Sequence, residues 1–202
     1  MKLYYSPGAC SFSPHVVARE AGIDLVLDRV DMKTKTTADG RDFREVNPNG
    51  YVPALELDNG EVLTEGPAIV QHLADLRPER GLAPANGTFA RVRLQEMLGY
   101  INSELHKTYS PLFRTETPPD VRSEREAHLR QRYGIVEAIL VRQPYLLGEQ
   151  FTVADAYLFT VTAWADFLKL DFSAYPGLAA FQQRVGARPS VQAARAAERQ
   201  VV

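Results

Sequence analysis

The chain has 202 residues, of which 45% are hydrophobic and 24% charged, and its formal net charge is −2 at pH 7. This composition is ordinary for a folded protein of one large or two small domains. The near-neutral charge gives no reason to expect a nucleic acid or an anionic membrane surface as a partner. A single cysteine excludes an internal disulfide and a cysteine-cluster metal site. We expect neither a secretory signal nor a membrane-spanning segment, and therefore a reducing cytoplasmic setting.

The only cysteine, Cys10, follows the first predicted strand and begins the first predicted helix. Lys2 to Tyr5 reads as a short strand, residues 6–8 predict a turn, and a helical pattern begins at Ser11. A thiol at a helix N-terminus faces unpaired backbone N–H groups and the positive end of the helix dipole, and both lower the pKa of a cysteine. We therefore predict an accessible thiol with a lowered pKa. A small, buried and unreactive cysteine is the alternative.

Short strand and helix patterns continue through the first eighty residues. The predicted elements after the first helix are a strand at 25–30, an irregular helical turn at 41–46, strands at 52–57 and 61–64, and a helix at 67–76. Asp58-Asn59-Gly60 joins the last two strands and is a strong hairpin signal. The order is βαβ, then a loop region, then ββα, which predicts an α/β domain over residues 1–80.

The second part of the chain is predicted to be all helical. Residues 81–86 form the predicted linker, and the predicted helices cover 89–112, 122–142, 152–168, 175–186 and 190–199. Thr152 and Asp155 have the spacing of a capping box at the start of the third of these helices. That helix is apolar on most sides, including at Phe167, which is typical of the buried centre of a bundle. We therefore predict an all-α domain over residues 87–202.

Two short segments of the first domain have the chemistry to bind a peptide-like ligand. Pro53 keeps Val52 extended, which can leave the N–H and C=O of Val52 to pair with a ligand backbone. At a strand-to-helix junction, free N–H groups near Gly66 attract a carboxylate, and the carboxylate of Glu65 can hold an amino group. Together they suit an α-amino-acid end. The alternatives are an ordinary edge-strand proline and an acidic residue that complements the helix dipole.

The helix predicted at 89–112 has a second face distinct from its leucine stripe. Asn102, His106, Tyr109 and Phe113 recur on it at spacings of four, three and four. His106 can donate a hydrogen bond to a thiolate or move protons near neutral pH; an ordinary surface or core histidine is the alternative. The other histidines show no metal-ligand spacing, so we predict no metal site.

These segments, in their order and spacing, resemble the bacterial beta-class glutathione transferases. The resemblance spans the whole chain and is carried by residues 2–11, 47–55, 63–69, 103–107 and 145–155. The chain looks especially similar to members associated with the degradation of aromatic pollutants. The resemblance implies a thioredoxin-like N-terminal domain of order βαβαββα, a helical-bundle C-terminal domain and a homodimer.

The resemblance also implies roles for individual residues. The implied glutathione-binding residues are Ala9, Cys10, Lys35, Tyr51, Val52, Pro53, Glu65 and Gly66. In this assignment Cys10 faces the glutathione sulfur, Val52 pairs with the cysteinyl backbone before a cis Pro53, and Lys35 lies near the glycine carboxylate. Glu65 and the Gly66 N–H hold the γ-glutamyl end. Many family members have serine where this chain has Gly66, so a hydroxyl contact is lost here.

The predicted function is a glutathione transferase that joins reduced glutathione to an apolar electrophile. Cys10 and His106 are the predicted catalytic residues, and the predicted electrophile pocket consists of Lys107, Tyr109, Phe113 and Trp164. One alternative is glutathione-dependent thiol–disulfide exchange or reductive dehalogenation through Cys10, because residues 10–13 resemble a monothiol redox motif. A second alternative is a non-catalytic interaction module with the same fold.

Overall fold

The structure is a computed structural model that describes residues 1–200. The chain forms two compact units, one made of Met1–Ala83 together with the chain from Ala187 onward, the other of Pro84–Gly186. The helices in chain order are α1 (Phe12–Ala21), α2 (Gly66–Asp75), α3 (Phe89–Tyr100), α4 (Lys107–Tyr109), α5 (Pro119–Leu140), α6 (Val153–Thr162), α7 (Trp164–Leu168), α8 (Pro176–Gly186) and α9 (Pro189–Gln200). No helix within residues 1–200 has the length and apolarity to cross a membrane.

The first unit is built on a mixed five-stranded sheet. Its strands are β1 (Lys2–Tyr5), β2 (Val26–Asp31), β3 (Thr36–Thr37), β4 (Ala54–Glu56) and β5 (Val62–Thr64), in the spatial order β3-β2-β1-β4-β5. β1 pairs in parallel with β2, and the other pairings are antiparallel. The central strand is buried over Leu3, Tyr4 and Tyr5. The irregular turn predicted at 41–46 is a 3₁₀ turn over Phe43–Glu45.

The last helix of the chain packs in the first unit, against α1. The ring Nδ1 of the buried His15 lies 3.0 Å from a carboxylate oxygen of the buried Glu198. The guanidinium of Arg188 donates to both carboxylate oxygens of Glu20, at 2.6 and 2.9 Å, and Ser190 also donates to Glu20. The predicted domains 1–80 and 87–202 place α9 in the second domain, whereas this grouping places it in the first unit. The domain boundaries stay a prediction.

The second unit is a helical bundle around α6. Every residue of α6 is buried, as predicted for the centre of a bundle. The predicted capping box is confirmed: the Thr152 N–H donates to a carboxylate oxygen of Asp155 at 2.8 Å. The other oxygen of Asp155 accepts the Leu146 N–H at 2.8 Å. These bonds fix both the start of α6 and the loop that leads into it.

Two predicted helices of this unit are not single α-helices. The stretch predicted at 89–112 changes to a π-helix over Ile101–His106, then passes through α4 into a 3₁₀ turn over Ser110–Phe113. The helix predicted at 152–168 is divided at Ala163 into α6 and α7. The prediction that Phe167 lies in the bundle centre is wrong, because α7 turns its side chain outward and 76% of it is exposed.

Candidate functional site

The thiol of Cys10 is held against the backbone of a distant loop in the first unit. Cys10 lies between β1 and α1 and is half-buried. Its Sγ donates a hydrogen bond to the carbonyl oxygen of Val52 at 3.2 Å. The strand–turn–helix arrangement predicted around Cys10 therefore places the thiol next to the Val52 backbone.

The predicted lowered pKa of Cys10 is wrong. Burial raises the pKa of the Cys10 thiol to about 12, and the carboxylate of Glu65 also acts to raise it. The backbone N–H groups of Cys10 and Ser11 act in the opposite direction, but their effect is smaller than that of burial. Desolvation disfavours the thiolate, so the group is a neutral hydrogen-bond donor at neutral pH in this structure.

The loop before β4 presents a backbone edge beside that thiol. Val52 is buried, lies two residues before β4, and forms a cis peptide bond with Pro53 as the resemblance implies. The side chain of Asn47 donates to the Tyr51 carbonyl oxygen at 2.7 Å and so holds the loop from behind. Within the first unit's described residues, the Val52 N–H has no acceptor. A buried, unpaired N–H next to an available carbonyl is the arrangement that a ligand backbone can complete.

The N-terminus of α2 lies at the same place. Glu65 is its N-cap, with a positive φ of 66°, and its carbonyl accepts the N–H groups of Ala68 and Ile69 at 3.0 Å. The Glu65 side chain is exposed. A Cβ at Gly66 would lie 3.9 Å from the Pro53 ring, so α2 begins beside the cis-proline loop. A non-glycine residue held at positive φ costs energy, and such strain occurs preferentially at ligand sites.

Lys35 and Ala9 complete the set in this unit. The Lys35 ammonium donates to the Gly50 carbonyl oxygen at 2.9 Å and lies 5.5 Å from the centre of the Tyr51 ring. The Tyr51 ring is 66% exposed. Ala9 packs against a small apolar cluster that includes Val52. The eight residues implied by the resemblance to bind glutathione thus lie in the loops between β1 and α1, between β2 and β3 and before β4, and at the start of α2.

His106 lies in the second unit, at the end of the π-helical segment. Its Nδ1 is 2.5 Å from the hydroxyl of Tyr157, which in turn donates to Oδ1 of Asn102 at 2.9 Å. The indole of Trp164 meets the imidazole edge-on, with ring centres 4.9 Å apart. Burial, together with the smaller effect of the neighbouring positive charge of Lys107, lowers the pKa of His106 to about 4. The ring is therefore neutral at neutral pH.

The aromatic residues predicted to form an electrophile pocket form one cluster. Trp164 has its ring centre 5.5 Å from that of Tyr109 and 5.4 Å from that of Phe113. Tyr109 is fully buried and supports the cluster from the bundle side, whereas Phe113 is 44% exposed. Phe167 joins it, 6.2 Å from Phe113. Sequence reasoning missed Phe167 at the surface, although its spacing of three residues from Trp164 on a helix was available as a signal. Lys107 is exposed.

Two further features of the structure lie outside this set. A cavity of about 370 Å³ in the second unit is lined by residues of α6, α7 and α8 and the loop between α7 and α8, among them Asp166, Phe172 and Gln182. None of the predicted site residues lines it. In the part of the chain that the structure describes, no group of three or more His, Cys, Asp or Glu side chains is arranged to hold a metal ion.

Two family models match the chain. The glutathione S-transferase N-terminal domain matches residues 8–76, and the glutathione S-transferase C-terminal domain matches residues 100–189. Glutathione S-transferase GstA of Escherichia coli O157:H7 is 46% identical over 198 residues, which cover 98% of each chain.

Solved structures agree with these matches. A ternary complex of BphK, a bacterial GST, superposes with a TM-score of 0.97 at 54% identity, covering 98% of this chain and 99% of that one. A sphingomonad glutathione S-transferase complexed with glutathione gives 0.96 at 41%, and a beta-class enzyme of Sphingomonas chungbukensis gives 0.95 at 42%, each with full coverage, 100% of both chains. The chain therefore belongs to the glutathione S-transferase family, in its bacterial beta class. This confirms the predicted fold, a thioredoxin-like domain followed by a helical one, and glutathione as co-substrate.

Proposed function

We propose that this glutathione transferase conjugates reduced glutathione to apolar electrophiles, with Cys10 as a hydrogen-bond donor to the glutathione sulfur. One observation carries the proposal: the neutral Cys10 thiol, the unpaired Val52 N–H and the start of α2 meet in one place. This place offers partners for the sulfur, the peptide backbone and the amino-acid end of one tripeptide. A sphingomonad relative with 41% identity was solved complexed with glutathione.

Each end of glutathione has a chemically suitable partner in the first unit. The γ-glutamyl carboxylate accepts N–H groups from the first turn of α2, where the helix dipole favours an anion. The exposed carboxylate of Glu65 binds the ammonium group of the same residue. The cysteinyl backbone pairs with Val52, and the Lys35 ammonium, beside Gly50 and Tyr51, binds the glycine carboxylate.

A neutral Cys10 fits conjugation better than redox chemistry. The S–H that Val52 accepts in this structure can be redirected to a glutathione thiolate, because a carbonyl and a thiolate are both acceptors. A charged acceptor makes the stronger hydrogen bond, so Cys10 stabilises the thiolate form of glutathione. Disulfide exchange through Cys10 requires the Cys10 thiolate itself, and burial opposes that form.

The second unit supplies the groups for the reacting partner. In this proposal His106 and Lys107 act on the glutathione sulfur, and Phe113 and Trp164 form an apolar wall for the electrophile. Holding thiolate and electrophile together makes the attack effectively intramolecular. We include a homodimer and a cytoplasmic location in the same proposal, supported by membership of the glutathione S-transferase family.

The test compares two chemistries in three variants. Wild type, Cys10→Ser and Cys10→Ala are assayed for conjugation of glutathione to an activated aryl chloride and for glutathione-dependent reduction of a small disulfide. We expect wild-type conjugation, partial retention in Cys10→Ser, whose hydroxyl still donates, and a larger loss in Cys10→Ala. Disulfide reduction that is strong in wild type and absent from Cys10→Ser, without conjugation, would instead support the redox alternative. Glutathione binding by calorimetry with neither activity would support the interaction module.

A further inference from the structure

The π-helical segment before α4 brings two side chains to one hydroxyl group. Asn102 and His106 lie near the two ends of the segment Ile101–His106, and both contact the hydroxyl of Tyr157 on α6. Isolated π-helical turns are rare and occur often at functional sites. The contacts join two helices of the second unit at the imidazole of His106.

The hydrogen atoms in the series of contacts from Asn102 through Tyr157 to His106 can be assigned. A tyrosine hydroxyl has one hydrogen, and the Tyr157 hydroxyl donates it to Oδ1 of Asn102 at 2.9 Å. The oxygen of Tyr157 is then an acceptor, so the 2.5 Å contact with His106 requires the imidazole to donate from Nδ1. A neutral imidazole that carries its hydrogen on Nδ1 has its lone pair on Nε2. If the amide nitrogen of Asn102 faced Tyr157 instead, Tyr157 would donate to Nδ1 and the ring hydrogen would lie on Nε2. Measuring the tautomer of His106 distinguishes the two arrangements.

The ring is also fixed in orientation. Trp164 packs edge-on against it at an interplanar angle of 66°, while the hydroxyl of Tyr157 fixes Nδ1. Among the described residues of the second unit, Nε2 has no hydrogen-bond partner. Nε2 is thus the one ring nitrogen that this unit leaves for a ligand.

We propose that Tyr157, with Asn102, is a positioning residue that holds His106 as the Nδ1–H tautomer, so that Nε2 accepts the proton of the glutathione thiol. This inference rests on the proposed function, in which His106 serves the sulfur. In the step, the S–H bond breaks, its electron pair stays on sulfur as a thiolate, and an N–H bond forms at Nε2. The resulting imidazolium donates from Nε2 to the thiolate and from Nδ1 to Tyr157.

Burial keeps the His106 ring neutral before this step. It lowers the pKa of His106 to about 4, so the lone pair is present at neutral pH before glutathione is bound. A thiolate beside the ring favours the imidazolium, because an opposite charge at short range stabilises the charged form. The wrong tautomer would present an N–H where the thiol proton must be received, and a misplaced tautomer in a catalytic histidine is costly.

The first experiment measures the tautomer itself. Nitrogen-15 chemical shifts and long-range couplings of the His106 ring distinguish a protonated from an unprotonated nitrogen. We expect Nδ1 protonated and Nε2 unprotonated in the wild-type protein, and a mixture of tautomers in Tyr157→Phe. Tyr133→Phe is the matched control, because it removes a buried hydroxyl of the same unit that bonds Tyr109 and Thr162. Wild-type protein with the hydrogen on Nε2, or an unchanged tautomer in Tyr157→Phe, would overturn the inference.

The second experiment links the tautomer to catalysis. We expect Tyr157→Phe to lower kcat by roughly 10-fold to 100-fold, as for residues that orient a metal-binding histidine, with little change in KM for glutathione. In a His106→Asn background the same change is expected to have no further effect, because its action passes through His106. An equal loss in both backgrounds would overturn the inference and assign Tyr157 a structural role. Full activity of His106→Asn would instead overturn the role of His106 in the proposed function, while the tautomer measurement tests the positioning independently.

Discussion

The Sγ atom of Cys10 lies 3.2 Å from the carbonyl oxygen of Val52, and the thiol donates its hydrogen to that oxygen. The two residues come from different loops of the first unit, so the bond ties the start of α1 to the loop before β4. It places a neutral donor at the position where family resemblance puts the glutathione sulfur. In the proposed function, binding of glutathione changes the acceptor of this thiol, and no preformed Cys10 thiolate is involved.

The first prediction concerns the reactivity of Cys10 without glutathione. Because burial raises the pKa of this thiol to about 12, its alkylation by iodoacetamide is expected to be slow at neutral pH. The rate should rise with pH to a midpoint above the ordinary cysteine value of about 8.5. Free N-acetylcysteine, measured in parallel, provides the reference. A midpoint below that of the free thiol would show that the helix terminus outweighs burial after all.

The second prediction concerns the carboxylate at the start of α2. Glu65→Gln keeps the size of the side chain but removes the charge that we propose pairs with the ammonium group of glutathione. A charged hydrogen bond contributes about 1.5–3 kcal/mol, so calorimetry should show a dissociation constant roughly 10-fold to 100-fold higher. Glu61→Gln, an exposed carboxylate in the β4–β5 hairpin of the same unit, should bind as the wild type does. Unchanged affinity in Glu65→Gln would leave Glu65 with a role only at the helix terminus.

The third prediction uses the departure at Gly66. This residue has an ordinary negative φ, and a Cβ would meet nothing closer than the Pro53 ring at 3.9 Å. Gly66→Ser therefore fits without strain and adds a hydroxyl at the N-terminus of α2. One added hydrogen bond contributes about 1 kcal/mol, so glutathione is expected to bind about fivefold more tightly. Gly66→Ala adds the carbon without the hydroxyl and isolates its effect; equal gains in both variants would mean that the hydroxyl makes no contact.

The fourth prediction concerns the pH dependence of stability. The pKa of His106 is about 4 in the folded protein, below the ordinary value of 6.5, so between these values the unfolded chain binds more protons than the folded one. Stability from this group is therefore complete above pH 6.5 and is lost as the pH falls towards 4, by at most about 1.4 kcal/mol per pH unit. Urea unfolding of wild type and His106→Gln at several pH values measures this difference. Parallel curves for the two proteins between pH 4 and 6.5 would contradict it.

Local signals predicted much of the first unit. β1 occupies the predicted residues Lys2–Tyr5, and α2 begins one residue before its predicted start at Pro67. The hairpin through Asp58-Asn59-Gly60 is also where the sequence places it, and so is the capping box at Thr152 in the second unit. These features depend on turn residues, caps and alternation within a few positions, which a sequence displays directly.

What the sequence did not predict depends on contacts between distant residues. The raised pKa of Cys10 results from burial, and no local pattern in the sequence measures that burial. The exposure of Phe167 follows from the division at Ala163, which hydrophobic periodicity does not reveal. The π-helical segment is likewise invisible to a 3.6-residue pattern, although the face it forms, Asn102 with His106, was predicted as chemically distinct.

The packing of α9 on α1 has a consequence for how the protein is made. Two residues of the helix that follows Cys10 have partners near the end of the chain: His15 contacts Glu198, and Glu20 pairs with Arg188. During synthesis these residues follow the whole second unit, Pro84–Gly186. The sheet of the first unit can form early, but α1 obtains its full set of partners only after the entire second unit has been synthesised. The two segments of the first unit are therefore synthesised at different times, separated by the synthesis of the second unit.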